Sequence, residues 1–287
     1  MENPQPTVSV GEIMRFWRDR RSVSQLDLGL EANVSQRHIS FVESGRSVPS
    51  RKLLISISDA LNIPFRERNL LLLAVGYAPV YREPALDDAP MEFLNVAIET
   101  MLRNHEPHPA FLLDRYWNVL RTNAAAPTFF NLFVDLESWP RPRNLLELMF
   151  DPKGLRPFVE NWKEFAAGLL LRVRREAVGQ VYDSRLKDLL HKLRSYPGTA
   201  ELTPLVPSES PILPVIFRKG DLRVAYFSLI TTVGTPQSVT AEELRLDCLF
   251  PVDPPPQAML HNTRRAFRVT RPTQKITTTC SRGTRHT

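Results

Sequence analysis

Cysteine is scarce in this chain of 287 residues: Cys248 and Cys280 are the only two, too few and too far apart for a zinc site or a disulfide framework. There is no run of about eighteen apolar residues, the minimum for a membrane-spanning helix. The opening MENPQPTVSV lacks the basic-then-apolar form of a secretory signal. These absences lead to an expectation of a cytoplasmic protein that does not enter the membrane. There is also no Gly-x-Ser-x-Gly nucleophile elbow, no phosphate-cradling glycine loop and no Cys–His pair in a recognisable setting, so an enzyme is only a remote alternative. His105-Glu106-Pro107-His108 comes nearest to a metal pair, but Pro107 and a spacing of three give poor ligand geometry. A helix end is expected there, with no metal and no cofactor. Asp87-Asp88 and Glu242-Glu243 are taken as helix-start or surface carboxylates rather than an acid and a base.

The net charge of +6 at pH 7 misleads as a nucleic-acid signal. From Gln257 onward there are seven Lys or Arg and no acid, which leaves −1 for everything before. Residues 1–81 hold ten basic and eight acidic side chains, so 82–256 sums to −3. The middle region therefore has no electrostatic reason to bind nucleic acid.

What is present is a helix-turn-helix pattern from Ser24 to Gly45. Leu28, Ala32, Val34, Ile39 and Val42 lie on two amphipathic periods separated by Asn33-Val34-Ser35, which suits two short helices meeting at a tight turn. Ser24 and Ser35 stand where a hydroxyl caps a new helix, Asn33 tolerates the left-handed conformation of the turn, and Gly45 ends the second helix. With Ile39 and Val42 facing inward, Gln36, Arg37, Ser40 and Phe41 fall on or near the open side. That is where a recognition helix meets base edges. Arg37 suits a two-pronged contact with guanine and Gln36 one with adenine. Gln25, Arg46, Ser50 and Arg51 are candidates for phosphate. Ser35 and His38, on the same first turn, complete the candidate DNA-binding set.

Gln25-x-x-Leu28-Gly29-x-x-Ala32-Asn33-Val34-Ser35 and Ile39-Ser40-x-x-Glu43-x-Gly45 resemble the phage-repressor type of helix-turn-helix found in xenobiotic-response-element (XRE) regulators. Two positions depart from that pattern. Gly29 replaces a small alanine, at an expected cost of roughly 1 kcal/mol in helix propensity, and Asn33 replaces a turn glycine.

Around this motif, Val10 to Arg20, Ser50 to Leu61 and Phe65 to Ala74 have helical periodicity, with Trp17 as a core anchor. Five short helices ending near Gly76 complete a head. Prolines and aromatics from Tyr77 to Pro90 suggest a linker packed partly against one domain, followed by a helix over Met91 to Arg103. Apolar runs at Phe111 to Leu113 and Trp117 to Arg121 suggest a hairpin, and Asn123 is placed to cap a helix holding Phe129, Phe130 and Phe133. That order resembles the opening of a PAS-type sensor fold. Helices follow over Leu145 to Met149, Val159 to Ala177 and Ser184 to Leu193. Strands are expected over Leu213 to Phe217, Leu222 to Val233 and Leu244 to Phe250, with Lys219-Gly220-Asp221 as a hairpin turn. Two early and three late strands make one antiparallel sheet with helices inserted between. A sheet so covered can hold an apolar cavity.

Asn69 to Arg82, Asp114-Arg115-x-Trp117, Leu229 to Pro236 and Leu249-Phe-Pro-Val-Asp253 resemble the MmyB-like transcriptional regulators. With the head, the likeness runs from about Val10 to Asp253. It implies a phage-repressor-type helical head on residues 1–76, a linker on 77–90 and an α+β, PAS-like ligand-binding domain on 91–254. Residues 255–287 then form a basic tail, expected to be disordered. It also implies an apolar effector, for which the family offers a long-chain fatty acid as an example. Phe111, Leu113, Trp117, Phe130, Phe133, Trp162, Phe165 and Phe227 are the candidate pocket residues, with plain core as the competing role. The expected partners are a double-stranded DNA operator, a small apolar effector and, because one head reads half a palindrome, a second copy of the chain. The alternative is a DNA-binding protein whose carboxy-terminal domain binds another protein and no ligand.

Overall fold

Four serines start the first four helices of the head. In the computed structural model, which describes residues 9–178, 183–202 and 210–253, these helices are α1 (Val10–Arg20), α2 (Gln25–Glu31), α3 (Gln36–Glu43) and α4 (Arg51–Ala60), and α5 (Phe65–Ala74) follows them. The side chains of Ser9, Ser24, Ser35 and Ser50 each accept a hydrogen bond from an amide in the first turn of the next helix, satisfying donors the helix itself cannot. Ser9 and Glu12 form a full capping box. Only α5, preceded by Pro64, has no side-chain cap of its own at its cap position.

The head closes on Met14, Trp17, Leu28, Ile39, Val42, Leu54 and Ile57, all nearly inaccessible. Asn33 takes φ +55° at the turn between α2 and α3, the left-handed conformation that asparagine tolerates better than most residues. Two glycines mark close backbone approaches. A Cβ on Gly11 would lie 2.5 Å from the Glu43 carbonyl oxygen, and one on Gly29 would lie 2.8 Å from that of Val34. The expected propensity cost at Gly29 therefore needs correcting: the turn leaves no room for the alanine against which that cost is reckoned.

The segment after the head is fastened to it. Asn69 accepts from the amides of Val80 and Tyr81 and donates to the Tyr81 carbonyl. The rings of Phe65 and Tyr81 stack at 4.1 Å.

The second domain begins with α6 (Glu92–Asn104), then β1 (Ala110–Leu113), β2 (Val119–Thr122), α7 (Ala125–Phe130), α8 (Leu145–Phe150), α9 (Trp162–Val178) and α10 (Ser184–Ser195). It ends with β3 (Val215–Lys219), β4 (Leu222–Thr231), α11 (Val239–Glu243) and β5 (Arg245–Pro251). The five strands form one antiparallel sheet in the order β2-β1-β5-β4-β3, with the inserted helices between its early and late halves. This is an α+β, PAS-like arrangement. Alternation along the strands sends Phe111, Leu113 and Leu249 toward α7 to α10. Ala110, Leu112, Leu246 and Cys248 go to the opposite face, against Ile98 and Leu102 of α6. Both faces thus carry a buried cluster, while the second half of β4, Ser228 to Thr231, is exposed.

Three expectations shift. The helix foreseen from Val159 starts at Trp162, because Glu160 N–H donates to the Ile216 carbonyl and the Asn161 side chain bonds to both Pro214 and Ile216. Trp117 is not in a strand, and Phe133 lies beyond the end of α7. The Gly220-Asp221 turn joins β3 to β4, with Gly220 at φ +57°. The basic tail lies outside the described residues.

Candidate DNA-binding and ligand-binding sites

On α3, Ile39 and Val42 are fully buried and turn the opposite side outward. Ser35, Gln36 and Arg37 are exposed, while His38, Ser40 and Phe41 are half-buried. The Arg37 guanidinium lies 5.1 Å and that of Arg46 5.9 Å from the centre of the Phe41 ring, so one aromatic surface organises two cations. Arg46, Ser50 and Arg51 are also exposed, just past the end of the helix. Gln25 is placed differently from the other candidates. Its amide donates to Glu43 Oε2 at 2.9 Å, on a carboxylate that is 5% exposed and receives two bonds from Arg18, at 2.6 and 3.1 Å. Glu43 thereby ties α1, α2 and α3 together and sets the angle at which the first turn of α3 is presented. Burial alone would raise its carboxyl pKa, but the Arg18 and Gln25 hydrogen bonds and the charges of Arg18 and Arg15 bring it below the ordinary value.

Between the sheet and the inserted helices lies a narrow cavity of about 80 Å³, partly open to solvent. Phe111, Trp117, Phe130, Phe165 and Phe227 line it, joined by Leu145, Met149, Leu169, Leu213, Phe217, Tyr226 and Leu249. The other three pocket candidates belong to the surrounding core. Leu113 sits at the β1–β2 irregularity, Phe133 packs on Phe129, Phe158 and Phe217, and Trp162 packs on Phe150.

The polar end of the cavity was not foreseen. Arg172, Ser228 and Asp247 also line it. Arg172 lies 4.3 Å from the centre of the Trp117 ring and donates to Glu176 at 3.1 Å. Glu176 in turn accepts from Trp117 Nε1 at 3.1 Å and from Arg245 at 2.5 Å. Trp117 takes φ +67°, a conformation costing about 1–3 kcal/mol that persists only where its surroundings enforce it. A sequence signal did exist: Asp247 shares the strand parity of Leu249, and an acid on the inward face of an apolar strand is unusual.

A short step from Trp117 leads to the head. Arg115 is 2% exposed and faces three carboxylates: Glu243 at 2.5 Å, Asp183 at 2.9 Å and Glu67 of α5 at 3.4 Å. Arg66 of α5 also pairs with Glu243, at 2.8 Å. The missing cap of α5 comes from the other domain, where Glu242 Oε2 accepts the Phe65 N–H at 2.7 Å. Glu242 stands in the first turn of the short α11, as expected of a helix-start acid, and Glu243 ends that helix; both are half-buried against the head rather than free at the surface. Their role depends on a contact between residues 177 positions apart, which local pattern cannot reveal. Burial raises the pKa of both Glu67 and Glu242.

Elsewhere, His105 ends α6 and its Nε2 meets the Leu249 carbonyl at 2.8 Å. Among the described residues no group of three His, Cys, Asp or Glu is arranged to hold a metal, and no helix is long and apolar enough to cross a membrane.

Residues 94–262 match the family model described as the MmyB-like transcription regulator ligand binding domain, and residues 14–68 match a helix-turn-helix model. No curated protein matches the chain.

Proposed function

The chain belongs to the MmyB-like transcription regulators, with a DNA-binding helix-turn-helix head and a ligand-binding domain, and from that premise we propose an apolar effector whose occupancy of the cavity controls operator binding. The effector we favour has a single long hydrocarbon chain of the fatty-acid kind. Aromatic and aliphatic side chains make most of the cavity wall, and burying a chain against them is favourable by about 25 cal/mol per Å². On the DNA side, Gln36, Arg37, Ser40 and Phe41, with Ser35 and His38, meet base edges. Arg46, Ser50 and Arg51 take phosphates, and two copies read a palindromic operator. Gln25 takes part through its hold on Glu43.

The observation that carries this reading is the arrangement around Arg115, two residues from a cavity wall and in contact with the head. An effector changes operator affinity only by its difference in affinity between two arrangements of the protein. Trp117, strained and bonded to Glu176, is where occupancy of the cavity would alter the position of Arg115 against Glu67 and Glu243.

Mass spectrometry of gently purified protein, together with operator binding measured with and without added fatty acids, tests the proposal. A co-purifying apolar chain, or a fatty acid that shifts operator affinity, is the expected result. An empty cavity, no thermal shift from any fatty acid and unaltered operator binding would favour the alternative, a carboxy-terminal domain that engages another protein.

A further inference from the structure

One buried carboxylate oxygen in the cavity wall, Oδ1 of Asp247, has no hydrogen-bond partner among the described residues, while the same side chain is held by Ser228 and lies within ion-pair range of Arg172. Asp247 stands on β5, the middle strand of the sheet, and is 4% exposed. Its Oδ2 is 3.9 Å from Arg172 Nη1, too far for a hydrogen bond. The charged and polar groups facing it are Arg172 and Glu176 on α9, Ser228 on β4 and Arg245 on its own strand. Both arginines already serve Glu176. The remaining wall is hydrocarbon and aromatic. An unpaired acceptor in such surroundings is costly, and it persists where a partner arrives from outside.

Resting on the cavity reading above, we propose that Asp247 is the anchor for the effector's polar end, and that this end carries an O–H donor held by Asp247 Oδ1 while the hydrocarbon chain lies among the aromatic residues. A neutral alcohol supplies that donor directly. A fatty acid supplies it as the protonated acid, one proton being shared between two carboxyl groups, with Arg172 near enough to take the remaining oxygen. A fully ionised fatty acid would instead place a second negative charge against Asp247 and Glu176. Burial, which pushes Asp247 up to about 6, makes proton sharing accessible near neutral pH. The proposal thus narrows the effector from any apolar molecule to one with a hydroxyl-type head.

Calorimetric titration of the full chain with 1-dodecanol, its methyl ether and dodecanoic acid tests this. Wild-type protein is expected to bind dodecanol about tenfold or more tighter than the ether, which lacks a donor. Asp247→Leu should close that gap, and Asp247→Asn, which preserves shape, should narrow it. If the acid is the source, it should bind tighter at about pH 5.5 than at about pH 8. Equal binding of alcohol and ether to wild-type protein overturns the Asp247 assignment and leaves the cavity reading standing, and so does an undiminished preference in both variants. Dodecanoate that binds best at the higher pH also overturns it, in favour of Arg172 as the anchor. If none of the three binds, the cavity reading falls with it.

Discussion

Arg115 of the ligand-binding domain and Glu67 of the helical head, 48 residues apart in sequence, meet at 3.4 Å with neither side chain more than 4% exposed. Asp183 and Glu243 share the same guanidinium, so one cation holds three acids from distant parts of the chain. Breaking a buried ion pair by removing one member typically costs about 3–5 kcal/mol, because the remaining charge is left buried and uncompensated.

Arg115→Met should therefore destabilise the protein by about 3 kcal/mol or more in denaturant titrations. Glu67→Gln added to it should recover part of the loss, since it removes one stranded acid. Additive effects in that double-mutant cycle would show that the two residues do not interact. The same cycle, read out as operator affinity with and without effector, tests whether the contact transmits occupancy.

Arg37 is exposed on the first turn of α3. As a base-reading residue, its replacement by alanine should weaken specific operator binding by about 1–3 kcal/mol and relax the preference at one base pair. Arg46→Ala should weaken all sequences alike and flatten the salt dependence of binding. Fluorescence anisotropy on operator and scrambled duplexes over a salt series separates the two effects.

Gly29→Ala would gain about 1 kcal/mol if helix propensity decided the outcome. With a Cβ only 2.8 Å from the Val34 carbonyl oxygen, the expected result is a loss of thermal stability. Gly11→Ala, whose Cβ would meet the Glu43 carbonyl at 2.5 Å, should cost more, on the order of 1–3 kcal/mol.

Two buried carboxylates should make stability respond to pH in opposite directions. Glu43 lies below its ordinary value in the fold, so its contribution is present above that value and lost as acid protonates it; Glu43→Gln should flatten the loss of stability on the acid side. Asp247 is raised to about 6, so the fold binds its proton more tightly than the unfolded chain does, and stability falls as pH climbs from the ordinary aspartate range toward 6. Asp247→Asn should therefore stabilise the ligand-free protein at neutral pH by about 3 kcal/mol at most, a gain that vanishes toward pH 4. Urea denaturation of both variants across this range measures the two slopes.

The head was legible in sequence because its determinants are local. Ser24, Asn33, Ser35 and the apolar residues between them act within a few positions of one another, and helix periodicity and capping depend on nothing farther away. Strand alternation and the Gly220-Asp221 turn located the late strands for the same reason. The order of the five strands and the identity of the cavity wall needed the whole chain. Phe130 and Phe133 look alike in sequence, yet Phe130 faces the cavity and Phe133 does not, because the end of α7 falls between them.

Composition, periodicity and caps determined by themselves that this chain begins with a helix-turn-helix head and continues into a mixed domain with a sheet, since each is a short-range property. Only the tertiary structure decided that Gln25 holds Glu43, that Glu242 caps a helix of the other domain, that Arg115 collects three acids and that one oxygen of Asp247 is left without a partner among the described residues in a largely apolar hollow. Each of these depends on the desolvation and partnering of a charged or polar group, and those are set by residues brought together across long stretches of chain.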